Sequence, residues 1–419
     1  MPIRCFLYCS ILILIISSLN FANAAPAKNV ILFIGDGMGL EQVKAAGMYA
    51  NGEPNTLSFE AFAHKALVTT YSVNSSVTDS AAAATAIATG HKVNNRVISM
   101  AFPGDHSELE TLLEYAKSLD KKTGLVTTVY ISHATPAGFG AHENDRDNYN
   151  QIVDDYLNQT RPNILFGAAN YITIAQAAAA GYQTVTNYST MSEVDTNTVT
   201  YISGQFGTNQ IPYEYDGVGN MPHLSEMTAT ALDILDNEPN GFFLMVEGGT
   251  IDWACHGNDE YRAIPEVVEL ANSVQVAIDW ATGRTDTTII VTADHETGGM
   301  TVDQNNGKGN FPTVSWSIGD HTGANVGLWA WGVNAPLVSG ILDNTDFFAI
   351  CTLNEVGFGD FDNDNKVTFS DFAFFASRWN NQGCVFPDYC ETADLDLSGE
   401  INYQDLAILV ENWLEGAEP

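Results

Sequence analysis

The chain has 419 residues and a formal net charge of -35, with 51 acidic residues against 16 lysines and arginines. That length exceeds a single small module and fits a large core with an appendage. The charge argues against nucleic acid or anionic membrane as partners, because both require a basic face, and it makes bound dications the direct way to reverse the field around an anionic substrate.

The opening MPIRCFLYCSILILIISSLNFANA has a basic Arg4, an apolar run and an Ala-Asn-Ala ending of the kind found at secretory cleavage sites. Residues 1–24 are therefore expected to be a signal peptide, and the mature protein to be secreted or periplasmic. No later run approaches the length of a membrane span. Of the six cysteines, Cys5 and Cys9 leave with the signal, and Cys384 and Cys390 are near enough in sequence for a small disulfide. Cys255 and Cys351 are expected to be unpaired or buried.

From Lys28 onward, strands alternate with helices. NVILFIGD is a short Val- and Ile-rich run of the sort buried on both faces of a sheet; a Gly-rich turn and a helix through Tyr49 follow. TGLVTTVYISH, GFFLMVEGG and TTIIVTADH read as further strands, and SELETLLEYAKSL and PEVVELANSVQVAIDWATG as helices. The alternation predicts an α/β fold, a doubly wound, mainly parallel sheet sandwiched by helices. Residues 171–222, rich in Thr, Asn, Gly and Tyr, are expected to be a loop-rich insertion.

Each of these apolar runs ends on residues able to hold a metal: Asp36, then His133 and Thr135, then Glu247, then Asp294 and His295. Open α/β sheets place their ligands at the carboxyl ends of parallel strands. In EGGTIDWACH, Asp252 and His256 are four apart, one helical turn, and can grip a single cation, with His321 of GDHTG as a third donor. Asp36, Asp294 and His295 form a second candidate set, completed by the hydroxyl of Ser80. That serine lies in VTDSAAAATAIATG behind Asp79 and ahead of an Ala-rich helix, so it stands at a positive helix end. Asp79 or Ser80 as a plain N-cap is the simpler account of that stretch. Two metals about 4 Å apart would clamp an in-line phosphoryl displacement. Asp36, Thr135 and Glu247 offer hard oxygen donors suited to Mg²⁺. Arg146 of AHENDRDNY can take two phosphate oxygens at once or form an ion pair with Asp145 or Asp147.

VTDSAAAAT, IGDGMG, ATPAG, VEGGTID, TADHETGG and DHTG together resemble the alkaline phosphatases, over residues 26–350. The resemblance implies hydrolysis of small phosphate monoesters, with Ser80 as nucleophile passing through a phosphoserine. It implies two zinc ions, one on Asp252, His256 and His321 and the other on Asp36, Asp294, His295 and Ser80, one magnesium on Asp36, Thr135 and Glu247, and phosphate held by Arg146. His133 and Trp253 are expected beside the substrate, at positions where other members carry different residues. Thr297 stands where some members have a histidine. A homodimer is among the assemblies left open. No C/S-x-P-x-R motif surrounds Ser80, which argues against a sulfatase; a phosphodiesterase of the same superfamily and a calcium-dependent scaffold or adhesion component are the alternatives.

After Asn354 a duplication appears. DFDNDNKVTFSD and DLDLSGEINYQD are displaced by 34 residues, each leading into an apolar helix that ends in Trp379 or Trp413. Asp360, Asp362, Asp364 and Asp371 occupy positions 1, 3, 5 and 12 of a calcium loop, as do Asp394, Asp396, Ser398 and Asp405. Residues 355–419 therefore read as a small all-α paired calcium-loop module holding one or two Ca²⁺. It resembles a type I dockerin, which implies a cohesin-like partner.

Overall fold

The computed structural model describes residues 27–352, 361, 367–384, 390, 393–395, 398–411 and 413. The expected signal peptide and four of the expected calcium ligands, Asp360, Asp362, Asp364 and Asp396, lie outside the described residues.

Fourteen strands are formed among the described residues: β1 (Asn29–Gly35), β2 (His64–Thr69), β3 (Lys122–Tyr130), β4 (Ile164–Ala168), β5 (Gln183–Val185), β6 (Ile202–Gln205), β7 (Phe242–Gly248), β8 (Thr287–Ala293), β9 (Glu296–Thr297), β10 (Thr301–Gln304), β11 (Thr313–Ser315), β12 (His321–Thr322), β13 (Val326–Gly332) and β14 (Ile341–Asp343). Ten of them make one sheet in the order β14-β2-β13-β8-β1-β7-β3-β4-β6-β5. Only β13 runs against its neighbours, pairing antiparallel with both β2 and β8. Every residue of β1, β7 and β8 is buried, as a central strand covered on both faces requires.

The covering helices fall into two groups. Glu260–Ala281 packs on Leu40–Asn51 and Leu224–Leu235, while Ser80–Thr89 packs on Ala134–Gly140 and near Leu112–Ser118. Glu260–Ala281 starts earlier than the periodicity suggests, with Asp259 capping it and Pro265 inside it in the second turn, where the Tyr261 carbonyl goes without its usual i+4 donor. The expected helix at 107–119 is formed only over Leu112–Ser118, because Thr111 and Glu114 close a capping box there.

The expectation for 171–222 needs correction. This stretch supplies two strands of the main sheet, β5 and β6, and two short helices. The strands are three and four residues long, too short for apolar alternation to show in sequence.

Strand register places the chemistry. Ile34 of β1 pairs with Glu247 of β7 and with Thr292 of β8, and Thr127 of β3 also pairs with Glu247. Asp36, Glu247, Asp294 and His295 are thereby brought level at one edge. The tail forms its own small core around Val367, Phe375, Cys384, Ile401 and Leu409, with Cys384 and Cys390 joined in a disulfide. Cys255 and Cys351 are free and buried.

Candidate active site

Asp79 caps the helix Ser80–Thr89 by accepting from the Ala82 amide (3.1 Å). Ser80 is the first helical residue, so its hydroxyl sits among unpaired amides at the positive end. The other oxygen of Asp79 accepts from Arg146 Nη1 (3.0 Å). The ion pairs once open to Arg146 are instead made by Arg96, which holds Asp145 and Asp147. Arg146 Nη2 donates to His133 Nε2 (3.1 Å), and each terminal nitrogen keeps a second N–H for an incoming anion. Burial, followed by the guanidinium beside it, pushes His133 down to about 3, so its ring stays neutral.

Ser80 Oγ lies 3.3 Å from His295 Nε2. The same nitrogen is 3.1 Å from Asp294 Oδ2 and 3.5 Å from Asp36 Oδ1. Asp294 Oδ1 is engaged by the amides of Gly37 (3.0 Å) and His295 (2.8 Å). Gly37 has a φ of +70°, and a Cβ there would meet Asp252 Oδ1 at 2.8 Å and Thr297 Oγ1 at 2.9 Å, so only glycine makes this turn without strain.

A second group lies alongside. His256 Nε2 is 3.3 Å from Asp252 Oδ2 and 3.2 Å from His321 Nε2. Both histidines bond backbone carbonyls through Nδ1, His256 to Gly319 (3.0 Å) and His321 to Thr78 (2.9 Å). Those Nδ1–H bonds leave Nε2 of each ring as the atom a cation would take, in place of the proton that His256 Nε2 shares with Asp252. Pairing of Thr297 with His321 across β9 and β12 brings this group against the first, and the His295 and His321 rings stack at 3.6 Å.

Whether cations fit here is decided by the side-chain atoms without partners. Both carboxylate oxygens of Asp36, Asp294 Oδ2, Glu247 Oε1, Thr135 Oγ1 and His133 Nδ1 are buried and make no hydrogen bond. Leaving such groups unpaired costs several kcal/mol each. Burial and then the nearby Asp294, Asp252 and Glu247 carboxylates push Asp36 well above its ordinary range. His256 is raised to about 9, first by its hydrogen bond to Asp252: the group draws positive charge. Ligand atoms lie within 4.8 Å of one another in three sets, Asp252–His256–His321, Asp36–Asp294–His295 and Asp36–His133–Glu247. The expected metal residues thus come together, with the Thr135 hydroxyl beside Glu247 of the third set. His133, placed from sequence beside the substrate, contacts Arg146 and also enters the third set. Trp253 lies 6.0 Å from His133, ring to ring.

Read from the sequence, Thr297 is only a departure from a family pattern. Its hydroxyl donates to Asp252 Oδ1 (2.6 Å) and lies 3.2 Å from His295 Nδ1, joining the two histidine-containing groups. Thr127, whose hydroxyl donates to Glu247 (2.5 Å), carried no signal beyond its place in a strand. A fourth set, Glu214–His223–Glu269, is elsewhere, and its carboxylates accept from His223 (2.9 Å), the Ser225 amide (2.8 Å) and Asn272 (2.9 Å).

A mainly parallel sheet with a hydroxyl and three acid-and-histidine sets at its carboxyl edge is equipped to hold an anionic ester against a nucleophile. Residues 27–165 and 167–313 match the alkaline phosphatase family profile, and residues 358–412 match that of the type I dockerin domain. Alkaline phosphatase 3 of Bacillus subtilis is 38% identical over 298 residues, which are 67% of this chain and 63% of that protein. The chain thus spans less than two thirds of that relative's length. The alkaline phosphatase of the Antarctic bacterium TAB5 superposes with a TM-score of 0.71 at 30% identity, covering 78% of this chain and 97% of that one. A histidine-to-aspartate variant of it, with Mg bound in the M3 site, superposes at 0.69 with 29% identity and the same coverage. The chain belongs to the alkaline phosphatase family.

Proposed function

We propose that this chain is a secreted or periplasmic phosphomonoesterase that works through a phosphoserine on Ser80. The observation that carries the reading is the convergence of Ser80 Oγ on His295 Nε2 at 3.3 Å, beside the orphaned carboxylate atoms of Asp36 and Asp294 and the helix that Asp79 ties to Arg146. Asp252, His256 and His321 would hold one zinc ion, and Asp36, Asp294 and His295 with Ser80 a second, since mixed nitrogen and carboxylate donors suit zinc. Asp36, Thr135 and Glu247 would hold magnesium; the Mg-bound TAB5 variant named above is a precedent for that metal in the family. When bound, these dications would supply Lewis-acid stabilisation of the attacking and leaving oxygens.

The chain's own residues do the rest. Arg146 takes two oxygens of the phosphate through the N–H groups that Asp79 and His133 leave unused. Asp79 fixes the guanidinium to the same helix end that carries Ser80, so nucleophile and anion site move as one body. Ser80 Oγ attacks phosphorus in line, the bond from phosphorus to the ester oxygen breaks, and the alcohol departs. Water then attacks the phosphoserine, the bond to Ser80 breaks, and inorganic phosphate leaves. The helix N-terminus favours negative charge in both steps.

The tail is assigned calcium in its paired loops and a cohesin-type partner. Its second loop and both helix starts carry the supporting geometry. Asp371 Oδ2 accepts from the Thr368 amide (2.8 Å) and Asp405 Oδ2 from the Asn402 amide (2.8 Å), the same contact repeated 34 residues on. Asp394 accepts from the amides of Ser398 (3.0 Å) and Gly399 (2.8 Å). Outside the cytoplasm the Cys384–Cys390 disulfide persists. A homodimer rests on the family resemblance alone.

The test is Ser80→Ala, assayed with zinc and magnesium on a chromogenic monoester, the matching diester and a sulfate. Monoester turnover falls by at least about a thousandfold, while metal content and melting temperature stay near wild type. Substantial residual kcat, or wild-type preference for the diester or sulfate, overturns the reading.

A further inference from the structure

Beside the phosphate site stands an array of aromatic rings that the chemistry above does not use. Tyr130, the last residue of β3, is 5.2 Å ring to ring from His133, 5.6 Å from Tyr149, 5.9 Å from Tyr171 and 6.1 Å from Trp253. Tyr149 and Tyr171 stack at 4.2 Å and 19°. The rings come from four separate segments: the end of β3, the helix that starts at Tyr149, the loop after β4, and the helix Thr250–His256. They meet at the sheet edge that carries Ser80. His133 joins them to Arg146 through the 3.1 Å contact already described.

Two observations separate this array from ordinary core packing. It is tied in place yet reaches solvent: Tyr130 donates to the Tyr149 hydroxyl (3.3 Å), Tyr149 donates to Asp147 (2.9 Å), and Tyr171 is 40% exposed. Burial keeps the Tyr130 phenol protonated, its pKa raised, so it remains a donor. Tyr171 also holds a φ of +69°, a left-handed conformation that costs a bulky residue energy which glycine or asparagine would not incur. That turn carries the Tyr171 ring at the outer end of the stack.

We infer that this array is a recognition wall for the organic part of the ester, and that it selects nucleoside monophosphates. The inference rests on the phosphomonoesterase reading. With phosphate on Arg146, Trp253 lies beside His133, one ring contact away, and Tyr171 lies two contacts away through Tyr130. A ring bonded directly to phosphate, as in an aryl ester, reaches the first position; a nucleobase, a sugar further out, reaches the Tyr149–Tyr171 stack and extends it by a third ring. Stacking needs a flat π-face and no fixed donor pattern, so the wall accepts any base. Because its rings are already fixed, little ordering cost offsets the contact.

The experiment measures kcat/KM for adenosine monophosphate, phenyl phosphate and glycerol phosphate in the wild type, Tyr171→Ala and Tyr171→Phe, with inhibition by inorganic phosphate. In Tyr171→Ala the ratio of nucleotide to glycerol phosphate falls about 5- to 10-fold through KM, the ratio of phenyl to glycerol phosphate holds, and Tyr171→Phe restores the wild-type preference. An unchanged nucleotide ratio overturns the inference. So does an equal weakening of all three esters and of phosphate, which assigns Tyr171 to positioning Arg146. Should the wild type hydrolyse no monoester, the phosphomonoesterase reading fails, and equilibrium binding decides the wall separately. In that case Ser80→Ala protein binds adenosine monophosphate more tightly than inorganic phosphate, the added Tyr171→Ala change removes the difference, and equal binding before that change counts against the wall.

Discussion

Because a threonine hydroxyl has one proton, and that of Thr297 goes to Asp252 (2.6 Å), the oxygen can only accept from His295 Nδ1 (3.2 Å). That fixes the His295 tautomer and leaves Nε2 with its lone pair toward Ser80, Asp36 and Asp294. Replacing Thr297 with valine keeps the shape and removes both contacts. Groups that orient ligands in this way are typically worth about 10- to 100-fold in metal affinity. We expect Thr297→Val to lose its bound metal to a chelator at correspondingly lower chelator concentration, while the circular dichroism spectrum is unchanged; equal retention would remove Thr297 from the site. Asp36, His133, Thr135, Glu247, Asp294 and His295 were legible in sequence because they follow apolar runs at strand ends, and Asp252 and His256 because they are one helical turn apart. Thr297 was not legible in that role, because its contact with Asp252 joins segments 45 residues apart and leaves no periodic trace.

The helix carrying Ser80 owes its position to one close approach. In Ala134–Gly140, a Cβ at Gly138 would meet Ala84 Cβ at 2.8 Å and the Ala84 carbonyl carbon at 3.0 Å. The Ala run that looked like mere helix propensity is therefore also a smooth face, which lets the two helices touch nearly backbone to backbone. Gly138→Ala should force them apart, at a cost of about 1–3 kcal/mol, and should move Ser80 relative to Thr135, three residues along. The expected outcome is a lower denaturation midpoint together with a kcat loss larger than the loss of phosphate affinity; a variant stable and active as wild type would mean that the helices repack freely. The strands that sequence reading recovered are the long buried ones, β1, β3, β7 and β8. The antiparallel β13 and the short β5 and β6 escaped it, since strand direction and pairing are set by crossovers that a local pattern does not encode.

For the molecule as a whole, with a charge of -35, a buried carboxylate without a compensating cation is a liability in alkali. Glu266, outside the three sets gathered near Ser80, is the clearest instance. It accepts from the Glu214 amide (2.7 Å) and from the Thr250 hydroxyl, and burial pushes it up to about 7. The fold therefore prefers it protonated. Its stabilising contribution is complete below the ordinary carboxylate range and is lost as pH rises from there through about 7, at roughly 1.4 kcal/mol per pH unit within that window. In urea titrations at constant metal concentration, wild-type stability should decline between about pH 4.5 and 7 more steeply than that of Glu266→Gln; parallel slopes would contradict the burial argument.

The alignment of Ile34 with both Glu247 and Thr292 means that the hydrogen-bond ladder serves as the ruler for the donor spacings. Distances set by a ladder do not depend on the length of the connections that leave it. A connection such as 186–201, between the outlying strands β5 and β6, is free to lengthen or shorten without changing those spacings. A single residue inserted within β8, by contrast, would turn Asp294 and His295 away from Ser80 and silence the centre while the surrounding architecture survived.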